Sequence, residues 1–195
     1  MLDTYKFIEK YKRISIIGME KNVGKTTLLN KLIADIGTNK KLGLTSIGRD
    51  GEDIDVVTNT DKPRIYVRRG SIIATGRNCL AKCDITKEIL YVTDFTTPMG
   101  SIVIVRALSD GYVDIAGPSY NKQVKIVVEL MEKFGSEISI VDGVLGRKST
   151  AISDVSEATI LSTGAALSLD MLKVVEETKK TVYFLKLNEA EKNIK

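Results

Sequence analysis

Short apolar runs alternate with segments of helical periodicity at both ends of the chain. RISIIG, LGLTSIG, EISIVDG and ATILSTG are apolar runs of strand length that close in glycine. Such runs are typical of strands that are buried on both faces. Residues at helical spacing follow the first run and precede the third. Because this alternation forms parallel sheets covered by helices on both faces, we expect an α/β fold with a mostly parallel sheet.

The predicted helices have sequence signals at their ends. The first, in KTTLLNKLIADIG, is expected to end at Gly37. The second is expected to begin after a capping Ser119 and to end at Gly135. A third helix is expected from about 169 to 179, followed by a last strand, TVYFLKL.

Between Pro63 and Pro118 the period of the pattern changes to two. RIYVRRGSIIATG, EILYVTDF, GSIVIVRAL and YVDIAG have the alternation of antiparallel strands, with Arg69-Gly70 and residues 109–111 as candidate hairpin turns. Because a few hairpins seldom fold alone, we interpret the region of about 63–118 as an antiparallel β-rich insertion. The whole chain, 1–195, is then a single domain with that insertion.

The composition is that of an ordinary globular protein, and it excludes several classes of site. Of 195 residues, 43% are hydrophobic and 28% are charged, and no apolar run approaches the ~18 residues of a membrane span. The charged N-terminal segment lacks the apolar core of a signal peptide, so we expect a cytoplasmic protein without a membrane partner. The absence of histidine excludes histidine-based catalytic triads and histidine-ligated zinc sites in this chain.

Two smaller clusters have plain interpretations. Cys79 and Cys83 lack the two further ligands of a metal site, so we expect two thiols in a reducing cytosol. Arg64, Arg68 and Arg69 cluster in RIYVRRG, but the net charge is only +4 and acidic residues are spread through the chain. We interpret the arginines as a solvated strand face and do not expect nucleic acid as a partner. A regulatory or nucleic-acid-binding module built on them is the alternative.

The stretch ISIIGMEKNVGKTTLLNKLI has the order of a strand, a loop and a helix. The N–H groups at a helix N-terminus suit phosphate oxygens, and Gly24 permits close approach of the phosphate. Lys25 is placed for the β- and γ-phosphates and Thr26 for Mg²⁺. The usual formula, G-x-x-x-x-G-K-[ST], requires a glycine where this chain has Met19; Gly18 stands one residue earlier and is the candidate to take over the turn. The predicted nucleotide-binding residues are Lys21, Asn22, Val23, Gly24, Lys25, Thr26 and Thr27.

A phosphate-binding loop needs a carboxylate nearby to hold Mg²⁺. Asp142 ends the apolar run ISIVD and is the predicted Mg²⁺ ligand, although an aspartate at such a place is often only a turn former. GRDGEDID offers Asp50 for a metal-binding or water-positioning role, with Arg49 as a phosphate partner; a solvated acidic loop is an equal alternative. The predicted catalytic residues are Lys25 and Asp50, and the predicted metal ligands are Thr26, Asp142 and Asp50. The loops GRKS and STG are expected at the same sheet edge.

At these residues the chain resembles P-loop NTPases. KNVGKTTL is similar to the loop of the branch that contains dethiobiotin synthetase, the signal-recognition GTPases and small cofactor-assembly GTPases. The resemblance implies a P-loop NTPase fold with Mg²⁺ and either ATP or GTP. The guanine-reading pattern N-K-x-D is absent from this sequence, which favours ATP. In that branch a loop lysine often stabilises phosphate across a dimer; Lys21 lies near that position but not in it, which leaves a homodimer open.

A second resemblance concerns the partner. LTSIGRDGEDID, VDGVLGRKS and ATILSTGAALS are similar to proteins associated with cobalamin-dependent aminomutases of amino-acid-fermenting bacteria, which implies ATP-driven reactivation or cofactor loading of such an enzyme. We therefore expect an Mg²⁺-dependent nucleoside triphosphatase that acts as a switch or chaperone for a metabolic enzyme. The β-rich insertion is the expected surface for that protein partner. The alternative is a kinase or ligase that uses ATP on a small molecule, as dethiobiotin synthetase does.

Overall fold

The structure, a computed structural model, describes residues 8–48, 54–55, 60–61, 64–143 and 155–186, with the backbone alone for 54–55 and 60–61. The helices within these ranges are α1 (Lys25–Ile36), α2 (Arg77–Leu80), α3 (Asn121–Lys133) and α4 (Met171–Leu185). The strands are β1 (Arg13–Gly18), β2 (Leu42–Ser46), β3 (Ile54–Asp55), β4 (Thr60–Asp61), β5 (Ile65–Val67), β6 (Ile72–Gly76), β7 (Lys87–Thr97), β8 (Gly100–Ala107), β9 (Gly111–Val113), β10 (Ile138–Asp142) and β11 (Ala158–Ser162).

A seven-stranded sheet forms the centre of the described chain, in the order β11-β1-β10-β2-β6-β8-β7. The five strands from β11 to β6 run parallel, whereas β8 and β7 are antiparallel to their neighbours. Strands β2 and β6 are buried along their whole length, as their continuous apolar runs predict for a sheet covered on both faces. The expected α/β fold with a mostly parallel sheet is confirmed.

Helices α1 and α3 cover the sheet with their apolar sides, and each belongs to a different core cluster. In the first cluster, Leu32 and Ile36 of α1 pack with Ile14 of β1. In the second, Val127 of α3 packs with Ile72 of β6. Successive residues of a strand point to opposite faces, so one strand supplies both clusters. Burial of an aliphatic side chain of this size contributes about 1.5 to 3 kcal/mol.

The β-rich insertion is more closely joined to the sheet than its pattern predicts. Strands β7 and β8 form an antiparallel hairpin as expected, closed at Gly100 with φ 87°. Strand β6, however, lies parallel to β2 and joins the hairpin to the main sheet. Strands β5 and β9 pair only with each other among the described strands. Residues 69–70 and 109–111 are therefore not hairpin turns, because the strands on either side of each belong to different sheets.

The ends predicted for α1 and α3 hold to within one residue, whereas the third helix, predicted to end at about 179, runs to Leu185. Helix α1 ends at Gly37, and Gly135, with φ 103°, follows the end of α3. Ser119 is not the cap of α3, because Tyr120 occupies the N-cap position and makes no side-chain capping bond. Among the described helices, none is long and apolar enough to cross a membrane.

The last predicted strand is wrong. Residues 181–185 of TVYFLKL continue α4, which runs to Leu185 without a break. Neither glycine nor proline separates this segment from the helix before it. Because each added helical residue gains one hydrogen bond for a small loss of freedom, the helix continues through β-branched residues that by themselves favour a strand.

The final residues of the insertion cross the carboxyl ends of β2 and β6. The Ala116 N–H donates to the Thr75 hydroxyl over 2.9 Å, and the Gly117 N–H donates to the Ser46 hydroxyl over 2.9 Å. A Cβ placed on Gly117 would overlap the carbonyl oxygen of Ser46. The backbone of the insertion therefore lies directly against the sheet edge, and only glycine allows that approach.

Gly117→Ala is expected to lower the free energy of unfolding by about 2 to 3 kcal/mol, because the methyl group must displace backbone rather than a mobile side chain. Urea unfolding measures the change. Gly164→Ala is the matched control, since a Cβ there meets nothing within 4 Å. Equal stability of the two variants would show that the crossing is not tightly packed.

Candidate functional site

Parallel strands bring the candidate site residues to one edge of the sheet. In register, Ile16 of β1 lies beside Asp142 of β10, and Gly18 of β1 lies beside Ser162 of β11. Asp142 in turn lies beside Ser46 of β2. All of these strands end at the same edge, which is where ligands of open α/β sheets bind.

Residues 19–24, here called the 19–24 loop, connect β1 to α1. The Met19 N–H donates to the Ser162 carbonyl over 3.0 Å and holds the start of the loop against β11. Asn22 has φ 58° and Gly24 has φ 82°, a left-handed conformation that glycine adopts without strain and asparagine tolerates best among the other residues. Gly24 is also the N-cap of α1, so the first N–H groups of the helix, which have no intrahelical acceptor, adjoin the loop.

The side chain of Lys25 folds back over the end of β1. A Cβ on Gly18 would lie 2.7 Å from the Lys25 Nζ and 2.8 Å from Val23 Cγ2. The Nζ also donates to the Glu20 carbonyl over 3.4 Å. A side chain at position 18 would therefore have to displace the side chains of Lys25 and Val23.

Asp142 is the unusual ionisable group of this edge. Its Oδ1 is shielded from solvent and has no hydrogen-bond partner among the described residues. Burial raises the pKa of Asp142 to about 6, while the Lys25 ammonium and the Gly143 N–H act to lower it. A buried carboxylate oxygen without a partner costs free energy. A hard cation with oxygen ligands, such as Mg²⁺, would satisfy it.

The other predicted binding residues line the same turn. Val23 is buried and anchors the loop to the core, whereas Lys21 and Asn22 are exposed. Thr26 is half-buried in the first turn of α1, and Thr27 is exposed. These are the remaining members of the predicted set, and their roles toward a nucleotide stay predictions.

Two contacts of the site were not predicted from the sequence. The Glu20 carbonyl accepts a hydrogen bond from the Lys25 Nζ. The Glu20 side chain accepts a second one from the Lys21 N–H over 3.0 Å. Ser162 acts through its carbonyl on Met19. A backbone carbonyl is present at every residue, so its hydrogen bonds cannot be predicted from residue type. The expectation that STG lies at this edge is the one indication in the sequence of the contact between Ser162 and Met19.

Part of the predicted site lies outside the described residues. This applies to Asp50, to Arg49, to the acidic residues 52–53 and to GRKS at 146–149. Their predicted roles stay predictions. Gly48, the last described residue before Arg49, donates its N–H to the Pro118 carbonyl over 2.9 Å. The chain thus enters the acidic segment beside the crossing residues of the insertion.

Within the arginine cluster, Arg64 makes side-chain contacts with its own chain. The Arg64 guanidinium binds both oxygens of Asp84, over 2.8 and 3.1 Å, and lies over the Tyr112 ring, 5.6 Å from its centroid. Arg68 is half-buried. Arg69 is exposed, and among the described residues its side chain makes no hydrogen bond. Its backbone N–H donates to the Asp110 carboxylate over 2.7 Å. These contacts give Arg64 a structural role in joining β5 to the segment before β7.

The two cysteines are not joined by a disulfide. Cys79 is buried, and the Cys83 thiol donates to the Cys79 carbonyl over 3.2 Å. Burial raises the pKa of the Cys83 thiol, which disfavours the reactive thiolate. Within the part of the chain that the structure describes, histidine, cysteine and acidic residues form no group of three or more that could hold a metal ion.

Asp142→Asn is expected to raise the free energy of unfolding of the nucleotide-free, metal-free protein at neutral pH. A pKa raised from 3.8 to about 6 means that the fold disfavours the ionised carboxyl by about 2 to 3 kcal/mol above pH 6. The penalty decreases as the pH falls through 6 and vanishes below about 4, where the carboxyl is protonated in both states.

Urea unfolding in a chelating buffer between about pH 4 and 7 measures this pH dependence. Glu20→Gln, which removes an exposed carboxyl from the same edge, serves as the control and should show no such gain. A stabilisation by Asp142→Asn that is the same at every pH would contradict the assignment.

Comparison of the chain with protein-family models and with curated proteins gives no match. Its function is therefore inferred from the geometry of this edge together with the sequence pattern that leads into it.

Proposed function

We propose that the protein is a P-loop NTPase that binds and hydrolyses a nucleoside triphosphate, ATP in the first place, with Mg²⁺. One observation carries the proposal: the Lys25 side chain folded over Gly18 interacts electrostatically with Asp142, whose shielded Oδ1 has no hydrogen-bond partner among the described residues. A cation for the phosphates and a carboxylate for the metal are thus held at the mouth of one loop. The absence of N-K-x-D from the sequence favours ATP over GTP.

The phosphates would be bound by the 19–24 loop and the first turn of α1. The N–H groups there point toward the loop, and the helix dipole adds positive potential. Lys25 would leave the Glu20 carbonyl, a long contact of 3.4 Å, and donate instead to the β- and γ-phosphates. A charge-assisted bond to phosphate is stronger than a bond to a carbonyl, so this exchange is favourable.

Asp142 and Thr26 are the residues that would hold Mg²⁺. The unpaired Oδ1 of Asp142 and the half-buried hydroxyl of Thr26 are oxygen ligands of the kind that Mg²⁺ prefers. The metal ion, when bound, neutralises charge on the phosphates. Its charge also favours the ionised form of Asp142, whose pKa burial raises. Asp50 keeps its predicted role of metal binding or water positioning in this proposal.

The nucleotide would control binding of a protein partner to the β-rich insertion. The insertion returns across the carboxyl edge through Ala116 and Gly117, whose N–H groups are bound to Thr75 and Ser46. Ser46 lies beside Asp142 in the sheet. A movement of Asp142 on metal binding would therefore reach the insertion through Ser46. The resemblance of the sequence to aminomutase-associated proteins supports a metabolic enzyme as the partner and reactivation or cofactor loading as the task.

Lys25→Ala is expected to weaken binding of the Mg²⁺ complex of ATP by about 100-fold or more, because the triphosphate loses the cation that the loop directs at it. Lys21→Ala removes an equal charge from an exposed position and should cost about ten-fold or less. Isothermal titration calorimetry with ATP and with GTP measures both. Unchanged affinity in Lys25→Ala would refute the proposal.

The same titration, with and without Mg²⁺, distinguishes a role of Asp142 in metal binding from a role in nucleotide binding. Asp142→Ala should retain ATP binding in the absence of metal but lose the gain in affinity and the turnover that Mg²⁺ provides. A variant that responds to Mg²⁺ as the original protein does would remove Asp142 from the metal site.

Gly18→Ala is expected to lower the affinity for the Mg²⁺ complex of ATP by about ten-fold, because the new Cβ would displace the Lys25 side chain and Val23. Met19→Gly, which restores the glycine of the usual formula, should change affinity by less than about three-fold. Calorimetry of the two variants side by side provides the test. The opposite order of effects would mean that Met19, not Gly18, occupies the critical turn.

A further inference from the structure

A polar cavity of about 260 Å³ lies at the amino edge of the sheet, opposite the edge that carries Asp142. Three of its lining residues lead directly into parallel strands: Lys41 precedes β2, Ser71 precedes β6 and Glu137 precedes β10. Because β2 pairs with β10 on one side and with β6 on the other, these three segments lie side by side. The other lining residues are Gly37, Thr38, Asn39, Lys40 and Arg69.

The cavity is separate from the candidate nucleotide site. Strand β2 has five residues, with Lys41 just before it and Ser46 at its end. A strand of that length spans about 16 Å. Ser46 is the residue of β2 that lies beside Asp142. A small ligand in the cavity would therefore touch neither the 19–24 loop nor Asp142.

Cations outnumber acids along the lining. Lys40, Lys41 and Arg69 face one acid, Glu137, so two positive charges are in excess. The Glu137 carboxylate accepts the Lys41 N–H over 2.9 Å and the Lys40 Nζ over 3.0 Å. Both contacts lower the pKa of Glu137, so it is ionised at neutral pH. Among the described residues, neither the Lys41 ammonium nor the Arg69 guanidinium makes a hydrogen bond.

The surroundings of the cavity do not remove this excess. Arg68 adds a cation: its Cδ would lie 3.5 Å from a Cβ on Gly37, and its Nε is shielded from solvent without a hydrogen-bond partner among the described residues. Asp110, which accepts the Arg69 N–H over 2.7 Å, offsets that cation. The carboxyl end of α1 contributes about half a negative charge, which still leaves more than one positive charge unbalanced.

We propose that this cavity binds a compact phosphate dianion, either inorganic phosphate or the phosphate group of a small metabolite. Lys41 and Arg69 would donate charge-assisted hydrogen bonds to the phosphate oxygens. Thr38, Asn39 and Ser71 carry hydroxyl or amide donors for the remaining oxygens. The double charge matches the excess of two cations better than a single carboxylate does.

The size of the cavity restricts the ligand to a small one. Its volume of about 260 Å³ is just below the ~300 Å³ at which pockets for drug-sized ligands begin. The proposal does not rest on the proposed nucleotide chemistry, and binding is expected with or without ATP.

An NMR chemical-shift titration of the isotope-labelled full chain with sodium phosphate, at constant ionic strength, provides the test. Saturable shifts are expected in residues 38–41 and 69–71, with a dissociation constant of about 0.1 to 1 mM. Signals of the 19–24 loop report any phosphate bound there separately, so failure of this proposal and failure of the nucleotide site are distinguishable.

Matched variants separate the cavity from general attraction of anions to a basic protein. Lys41→Gln and Arg69→Gln should each weaken binding by about five-fold or more, because each removes a charge-assisted bond. Lys173→Gln removes the same charge from an exposed position on α4 and should change the affinity by less than about two-fold. Circular dichroism checks that the variants fold.

Titrations with inorganic phosphate and with glycerol phosphate distinguish the two sources of the anion. Saturation by inorganic phosphate alone indicates the free ion, and saturation by the ester indicates a phosphorylated metabolite. The absence of saturable shifts in residues 38–41 and 69–71 at tens of millimolar phosphate overturns the proposal. So does equal weakening by Lys173→Gln, or tighter binding of citrate or of a single-stranded oligonucleotide at the same residues.

Discussion

Strand β1 is paired in parallel on both sides, with β10 and with β11, and the geometry of the site follows from this pairing. The register with β10 places Asp142 beside Ile16, two residues before the strand ends at Gly18. The register with β11 places Ser162 where its carbonyl accepts the Met19 N–H. A slip of either neighbour by one residue would turn its side chains to the other face. Asp142 would then point into a core cluster, and the 19–24 loop would lose its support.

The fold maintains an unfavourable charge at this edge. Burial raises the pKa of Asp142 to about 6, and Lys25 offsets only part of that effect. A carboxylate oxygen that is shielded from solvent without a hydrogen-bond partner lowers stability, and such groups are concentrated where a protein binds or reacts. In the proposed function, a bound cation would offset this cost by binding the Asp142 carboxylate.

Much of the fold could be predicted because local patterns and tertiary packing agree. The apolar runs of β1, β2, β10 and β11 and the apolar faces of α1 and α3 required no knowledge of neighbours. The insertion was predicted as strands but not as part of the sheet, since nothing in the period-two pattern reveals that β6 pairs with β2 on one side and β8 on the other. The strand expected at 181–187 failed for a related reason. Its β-branched residues favour a strand locally, but the helix before it continues through them.

The sequence by itself determined the residue types of the site and their order: a glycine-containing loop, Lys25 and Thr26 at a helix start, and Asp142 at the end of a distant strand. These follow from spacing along a single chain, because a strand, a loop and a helix N-terminus are local structures. Only the tertiary structure shows that a Cβ at Gly18 would meet the side chain of Lys25, seven residues later. The tertiary structure also decided that the Asp142 Oδ1 is shielded from solvent within the electrostatic influence of Lys25, and that the residues of α4 stay at least partly exposed. Desolvation and exposure depend on all surrounding atoms, and no local pattern contains them.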